Sequence, residues 1–349
     1  MGKISTILMV GALVGLTTLT GCPKGKLPGG AAVPGSDKIP GGGAIPGGFG
    51  GDSGMVDPTS CGNYAVSDAG RRLQAFLVAT QNLEATTKAT VEVVKQSCVL
   101  MGTELGMTGA ELEGETKAVC AAVYTRVNDN LKVSFKAKAG LKVKYTPAVC
   151  KVDVQAQASA AAECEAKASA DVKATCSGTC RGTCEGTCSG KMGTGGNKGQ
   201  CEGQCQGTCK GGCEGHADVD ASAQCKASAS VKASASIECT EPVLDISADA
   251  KLVLDKSKAE MTIKALKAGL PKILSVKARL EPLQYAATVW AGSARELKDA
   301  APMLARSFKD QAMCISGQIA AAAKLIGSIE VNVSVSVEVS ASASGTIGG

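Results

Sequence analysis

The most constraining feature of this sequence is a palindrome of cysteine positions in the middle of the chain. Twelve of the 17 cysteines lie from residue 150 to residue 239, in pairs whose residue numbers all sum to 389. The pairs are Cys150/Cys239, Cys164/Cys225, Cys176/Cys213, Cys180/Cys209, Cys184/Cys205 and Cys188/Cys201. A constant sum is the pattern of one antiparallel hairpin, in which opposed Cβ atoms are about 5 Å apart, near the separation that a disulfide needs. The sequence therefore predicts six cross-strand disulfides, with the turn at Thr194 and Gly195.

Small residues between the cysteines support the same register. Every even position from Cys150 to Cys188, and every odd position from Cys201 to Cys239, is Ala, Gly, Val, Ile or Cys. This period of two predicts two extended strands with one small apolar face and one polar face. Glycine pairs such as Gly178/Gly211 and Gly182/Gly207 would lie between the bridges. The Ala/Gly/Cys face, if exposed, would be a surface for self-association, and an arm from Phe135 to Gly193 would span about 190 Å when fully extended.

Two prolines mark a break in this ribbon. Pro147 and Pro242 also sum to 389, and the apolar parity changes there on both arms, so that Phe135 faces Leu254 and Val143 faces Ile246. Because proline cannot donate to a strand ladder, the paired prolines predict a bend.

Metal binding and redox catalysis are the competing interpretations of the cysteines. Successive cysteines of the central cluster are separated by three residues, whereas zinc sites and redox motifs favour Cys-x-x-Cys, which the chain lacks. The one histidine, His216, is expected to be a solvated ribbon residue opposite Lys173. No serine-hydrolase, phosphate-loop, dinucleotide or zinc-protease motif occurs. The sequence thus predicts no catalytic residue, metal or cofactor, and its dispersed lysines give no nucleic-acid patch.

The first 22 residues predict a targeting signal. A short basic start precedes an apolar run over residues 4–16, which is too short for a usual membrane span and is typical of a signal peptide. Leu19-Thr20-Gly21-Cys22 follows, and here the sequence resembles bacterial lipoprotein precursors. The resemblance implies that Cys22 becomes the lipidated first residue of the mature protein and anchors it stably to a membrane. Pro23 after the lipidated cysteine implies an outer-membrane protein, either periplasmic or surface-exposed.

The remaining cysteines can also be paired. Without Cys22 the chain has 16 cysteines, an even number that fits full oxidation outside the cytoplasm. Cys98 and Cys120 lie symmetrically about Gly109, between two helical patterns, so they are predicted to bridge an antiparallel helix pair. Cys61 and Cys314 are then left for each other.

The predicted fold class is α+β: a helical bundle with a very long disulfide-laddered antiparallel β-hairpin and an extra C-terminal strand. Apolar residues at helical spacing begin near Ser67, and prolines predict helix breaks near Pro271 and Pro302. Alternating valines from Val331 to Val339 predict the last strand. The expected segments are a signal peptide (1–21), a Gly/Pro-rich tether (22–60), a first helical part (61–130), the hairpin (131–258), a second helical part (259–328) and the C-terminal strand and tail (329–349).

Two classes of function fit these features. The preferred one is a non-enzymatic cell-envelope lipoprotein that projects a disulfide-stiffened β-ribbon as a stalk, adhesin, spacer or assembly subunit. The alternative is a subunit of an oligomeric outer-membrane export channel or pore. Its support is the alternation of about 12 residues before Pro147, a length that suits a membrane strand. The expected partners are the membrane, through the lipid on Cys22, and further copies of the chain.

Overall fold

The computed structural model describes residues 56–137, 140–188, 191–192, 198–308 and 311–348. Over these residues the fold is α+β, as predicted, with seven α-helices and nine strands in curled sheets. The helices are α1 (Asp68–Glu104), α2 (Gly109–Leu112), α3 (Thr116–Ser134), α4 (Val154–Glu165), α5 (Ala223–Ala235), α6 (Lys256–Arg306) and α7 (Ala312–Gly348). The strands are β1 (Leu141–Thr146), β2 (Cys150–Asp153), β3 (Ala174–Cys176), β4 (Thr179–Cys188), β5 (Lys191–Met192), β6 (Lys198–Glu214), β7 (Ala217–Val219), β8 (Glu238–Cys239) and β9 (Val243–Ala248). The signal peptide, the tether up to residue 55 and the turn at Thr194 and Gly195 lie outside the described residues.

The long helices α1, α6 and α7 share one apolar core. α1 begins at Asp68 because the Ser67 side chain accepts a hydrogen bond from the Gly70 backbone N–H and caps the helix. Trp290 of α6 is fully buried and stacks on Phe76 of α1, with ring centroids 6.2 Å apart. Further core residues lie along the three helices, among them Leu73, Leu77, Leu83, Leu283, Ala286, Ile315, Ile319 and Ile329. The helical part therefore brings residues together that are more than 200 positions apart.

The helix α6 runs through three prolines, so the predicted breaks near Pro271 and Pro302 were wrong. A proline inside a helix removes one backbone hydrogen bond and costs about 3 kcal/mol. Beside Pro271 this cost is offset by burial, because Leu270, Ile273 and Leu274 are fully buried in a second core shared with α1 and α3. Close packing here depends on Gly269, where a Cβ would lie 2.3 Å from the Ser97 carbonyl oxygen of α1.

The predicted C-terminal strand was also wrong, because residues 329–339 lie within α7. Burial along α7 has the three- and four-residue spacing of a helix, since Ile329, Val333 and Ser336 are buried while Val331 is 60% exposed. Ser336 donates to the Asn332 carbonyl at 3.0 Å, so a serine in this stretch satisfies its hydroxyl without leaving the helix. Packing against the other helices therefore overrides the strand preference of alternating valines.

Among the described residues, α7 is the one helix whose length and composition would suit a membrane span. The stretch Ala312–Ser344 contains a window of mean hydropathy 1.4. It also carries charged groups that pair with other helices: Glu330 lies 2.9 Å from Arg295 of α6, and Glu338 lies 2.8 Å from Lys117 of α3. Of that window 22% is buried, so α7 packs one face on α1 and α6 and leaves most of the window outside the core.

The middle of the predicted hairpin consists of two helices, α4 and α5, instead of strands. Alanine has the highest helix propensity, and a run of small residues fits a period of two and a helical face equally well. Asp153 starts α4 by accepting hydrogen bonds from the backbone N–H groups of Gln155 and Ala156 at 2.9 and 3.0 Å. Ala162 and Ala229, which the sequence assigns to the small face, are 2% and 0% exposed. The small face that the sequence predicted to be exposed is therefore covered within the chain at this point, and no fully extended arm of about 190 Å forms.

At its base the arm, defined here as residues 141–248, keeps the predicted register. β1 pairs antiparallel with β9, and Val143 lies opposite Ile246 as expected. β2 pairs with β8, with Cys150 opposite Cys239. Pro147 and Pro242 lie between these two sheets, where the break was predicted. One contact differs, because Phe135 pairs with Val253 instead of Leu254.

At the cysteine-rich end the register shifts by four residues. The partner number falls as β4 advances, as in a hairpin, but the sums are 393: Cys180 lies opposite Cys213, and Cys184 lies opposite Cys209. Gly182 consequently faces Gly211, not Gly207, and a Cβ on Gly182 would lie 2.2 Å from the Lys210 carbonyl oxygen. β6 curls, so that its residues 198–204 also pair with β4, and β6 returns to pair with β2. Gly212 and Cys213 of the cysteine-rich part thus lie beside β2 at the base of the arm.

Candidate functional site: the disulfide-bonded arm and its anchor

Six disulfides link the described residues, and all six are pairs that the sequence predicts. Four belong to the palindrome and two lie in the helical part: Cys150–Cys239, Cys164–Cys225, Cys176–Cys213, Cys180–Cys209, Cys98–Cys120 and Cys61–Cys314. Their Cα–Cα distances run from 4.0 to 6.4 Å, within or close to the usual range. The predicted pairs Cys184–Cys205 and Cys188–Cys201 involve side chains outside the described residues, as does the lipidation site Cys22. The protein is therefore cysteine-rich and disulfide-bonded.

The bridges connect segments that no local structure would hold together. Cys61–Cys314 joins the segment before α1 to the start of α7 across 253 residues, and Cys164–Cys225 joins α4 to α5 across 61 residues. On the chain-entropy model an isolated bridge closing about 100 residues contributes about 4.7 kcal/mol, and nested bridges contribute less each. The four described bridges of the palindrome run from the base of the arm to its cysteine-rich end.

Three cysteine sulfurs cluster where β4 meets β6. The Sγ atoms of Cys180, Cys184 and Cys209 all lie within 4.8 Å of one another, and all three residues are buried. The Sγ atom of Cys184 is 3.4 Å from that of Cys180. These distances would suit a metal ion, but each of the three cysteines is disulfide-bonded, and a disulfide sulfur lacks the negative charge of a thiolate ligand. In the oxidised protein the cluster is therefore one of closely packed disulfides.

The arm is attached to the helical part through the carboxylate of Glu165. This side chain is only 3% exposed, and its Oε2 atom lies 2.6 Å from Nη2 of Arg72 on α1. Its Oε1 atom accepts a 2.7 Å hydrogen bond from the backbone N–H of Ser222, the residue before α5. Burial opposes the charged form, but hydrogen bonding from Ser222 and the charge of Arg72 outweigh it and hold the pKa of Glu165 below its usual value. One carboxylate thus joins α1, α4 and the start of α5.

A second attachment involves the single histidine, and it corrects the expectation of a solvated residue. The ring of His216 stacks on Tyr285 of α6, with centroids 3.9 Å apart, and its Nδ1 atom lies 3.8 Å from the carboxylate of Glu281. Burial raises the pKa of Tyr285, and a hydrogen bond to Asp218 adds to this effect. The backbone carbonyl of His216 accepts hydrogen bonds from Ser177. His216 therefore packs the arm against α6.

The space enclosed at this attachment is too small for a substrate. A cavity of about 10 Å³ lies between Gln157, Ser230 and Tyr285, which is about the smallest space that can hold one water. The Gln157 amide donates to the Ala217 carbonyl at 2.9 Å and so fills one side of it. Small-molecule sites are usually several hundred cubic ångströms in volume. The cavity is a packing feature of the junction.

Sequence reasoning missed these attachments. Glu165 and Arg72 are 93 positions apart, and nothing in the sequence distinguishes Glu165 from Glu163, which is exposed two positions away. The Trp290 side chain donates a 2.8 Å hydrogen bond to the Thr80 hydroxyl across 210 positions, again without a sequence signal. Comparison with protein-family models, with curated proteins and with solved structures found no match to this chain.

Proposed function

We propose that this protein is a non-enzymatic lipoprotein of the bacterial outer membrane, with a disulfide-bonded arm carried on a helical bundle. The observation that carries the proposal is the combination of Leu19-Thr20-Gly21-Cys22 with six disulfides in the described part of the mature chain. Disulfides persist in oxidising compartments, and a lipoprotein signal delivers the chain to one.

A structural or assembly role is supported by where the bonds lie. The four described bridges of the palindrome, the Glu165 ion pair and the His216 stack all hold the arm to itself or to the helices, and the Glu165 and His216 attachments enclose no cavity that could hold a substrate. Of the roles that the sequence left open, an assembly subunit or adhesin is favoured over a long stalk or spacer. The reason is that α5 of the arm packs against α1 and α6, which leaves less of the arm to project.

The alternative, a subunit of an export channel, gains little from the strands at the base of the arm. β1 and β9 have six residues each and pair with each other in a two-stranded sheet. A transmembrane β-strand needs about 9–11 residues. Of the two, the lipid-anchored assembly subunit is therefore the function proposed.

The direct test of the membrane anchor is Cys22→Ser in the full precursor. We expect the variant to incorporate no labelled palmitate and to leave the membrane fraction, because the lipid on Cys22 is the proposed anchor. Pro23→Ala is the matched control, since it leaves the acceptor thiol in place and should still be labelled. Palmitate labelling of the Cys22 variant at the level of the unmodified protein would contradict the proposal.

The structural role has its own test. Purified mature protein, with its lipid held in detergent, is imaged as single particles and in reconstituted membranes. We expect no rods of about 190 Å, because α4 and α5 interrupt the extended arm, and we expect the protein to associate at higher concentration. Rods of that length would restore the stalk interpretation, and rings with a central opening would favour the channel.

A further inference from the structure

Two independent observations at the cysteine-rich end do not coincide. The disulfides follow the sum 389, because Cys176 is bonded to Cys213 and Cys180 to Cys209. β4 pairs with two stretches of β6: in one the sum is 393, which places Cys180 opposite Cys213 and Cys184 opposite Cys209, and in the other Cys180 and Cys184 lie opposite glycines. Cys180, Cys184, Cys209 and Cys213 therefore each lie across from a cysteine to which they are not bonded, whereas Cys176 lies opposite Ala217.

The backbone thus places a second set of cysteine pairs opposite each other, in addition to the pairs that are bonded. Opposed residues in a strand pair have Cβ atoms about 4.5–5.5 Å apart, which allows a disulfide with little backbone movement. The sulfurs themselves are close, because Sγ of Cys184 lies within 4.8 Å of Sγ of Cys209 and at 3.4 Å from Sγ of Cys180. Cysteines that repeat every four residues allow this change of partner along the whole ladder.

We propose that the cluster of Cys180, Cys184 and Cys209 is a disulfide-exchange site, which passes a thiol formed within the ladder to Cys176. Exchange proceeds by attack of a thiolate on a disulfide sulfur. The Cys184 thiolate attacks Sγ of Cys209, forms the Cys184–Cys209 bond and breaks the Cys180–Cys209 bond, and the electron pair leaves on Cys180. The Cys180 thiolate then attacks Sγ of Cys213, forms the Cys180–Cys213 bond and releases the Cys176 thiolate.

The exchange is balanced once the first thiolate exists, because each step makes one sulfur–sulfur bond and breaks one. Cys184 is disulfide-bonded in the structure, and the sequence pairs it with Cys205. An external dithiol supplies the two electrons that open this bond, and the dithiol leaves as its own disulfide. The consequence is that one disulfide of the ladder can be reduced while β4 and β6 stay cross-linked. One of the two thiols so formed is then on Cys176.

The test creates the first thiol by mutation, without a reductant. Cys205→Ser removes the predicted partner of Cys184, and the purified variant is alkylated in denaturant at mildly acidic pH and then mapped as non-reduced peptides. We expect most of the label on Cys176, with Cys184–Cys209 and Cys180–Cys213 bonded. Label on Cys184, with Cys180–Cys209 and Cys176–Cys213 intact, would overturn the proposal.

Two further measurements keep the test decisive. Cys201→Ser frees Cys188 at the other end of the ladder, and the same exchange should again bring the label to Cys176; label that stays on Cys188 counts against it. In unmodified protein treated with dithiothreitol, the bridges with sum 393 should appear at partial reduction, and their absence at every extent of reduction counts against it as well. Cys120→Ser is the matched control, because the thiol of Cys98 should stay on Cys98, outside the ladder.

Discussion

Replacing Glu165 by glutamine is expected to loosen the attachment of the arm to α1. The variant keeps the shape of the side chain and an oxygen that can accept from Ser222, but it removes the charge that faces Arg72 at 2.6 Å. Hydrogen bonds to charged groups contribute about 1.5–3 kcal/mol, and part of this loss is recovered because Arg72 is 37% exposed and can be hydrated. We therefore expect a loss of about 1.5–2 kcal/mol in the free energy of unfolding, measured by urea denaturation at pH 7 with the disulfides intact.

The pH dependence provides an internal check of this reasoning. The pKa of Glu165 is lower in the folded protein than in the unfolded chain, so its contribution is present above the unfolded value and is lost as the pH falls through the folded one. The difference between Glu165→Gln and the unmodified protein should therefore shrink below about pH 4. The matched control is Glu330→Gln, whose ion pair with Arg295 is half-exposed on both sides, and it should change stability by no more than about 0.5 kcal/mol. Equal effects of the two substitutions at pH 7 would show that burial of Glu165 is not what matters.

Three further substitutions test the packing. Thr80→Val leaves the buried Trp290 N–H without its acceptor and should lower the free energy of unfolding in urea by about 1–3 kcal/mol. Thr80→Ser keeps the hydroxyl and should retain most of that stability. Equal stability of the two variants would show that the hydrogen bond does not contribute. Gly269→Ala places a Cβ 2.3 Å from the Ser97 carbonyl and should cost about 1–3 kcal/mol by the same measurement, and no loss would mean that α1 and α6 can separate freely. Ala229→Arg places a charge at a fully buried site and should prevent the accumulation of oxidised protein. Ser159→Arg, on the exposed side of α4, should be tolerated. Similar yields of oxidised protein from the two variants would contradict the burial of the small face.

The six described disulfide pairs and the register at the base of the arm were predictable, because they depend on position alone. A constant sum specifies which cysteines can meet, and the pairs Cys150–Cys239 and Cys180–Cys209 follow from it. The same rule placed Val143 opposite Ile246, and the paired prolines marked the break between the sheets. These inferences needed no knowledge of what packs against the arm.

The secondary structure between the cysteines was not predictable in the same way. Alternating Ala and polar residues are compatible with a strand and with a helix, and the choice depends on whether α1 and α6 are present to cover α5, which in turn packs on α4. The valine run of α7 is likewise helical because of its packing, since Ile329 and Val333 lie in the core of the long helices. Anchoring residues such as Glu165 and His216 were invisible because their partners are distant in sequence.

The central claim, an oxidised lipid-anchored protein with a palindromic ladder, is tested most directly by mass spectrometry of the mature chain isolated from membranes without reduction. The expected result is a lipid-modified Cys22 at the N-terminus, no free thiol, and eight bridges, including Cys184–Cys205 and Cys188–Cys201 beside the six seen in the structure. Free thiols with bound zinc across residues 176–213, or an unmodified N-terminus that retains the signal peptide, would contradict it.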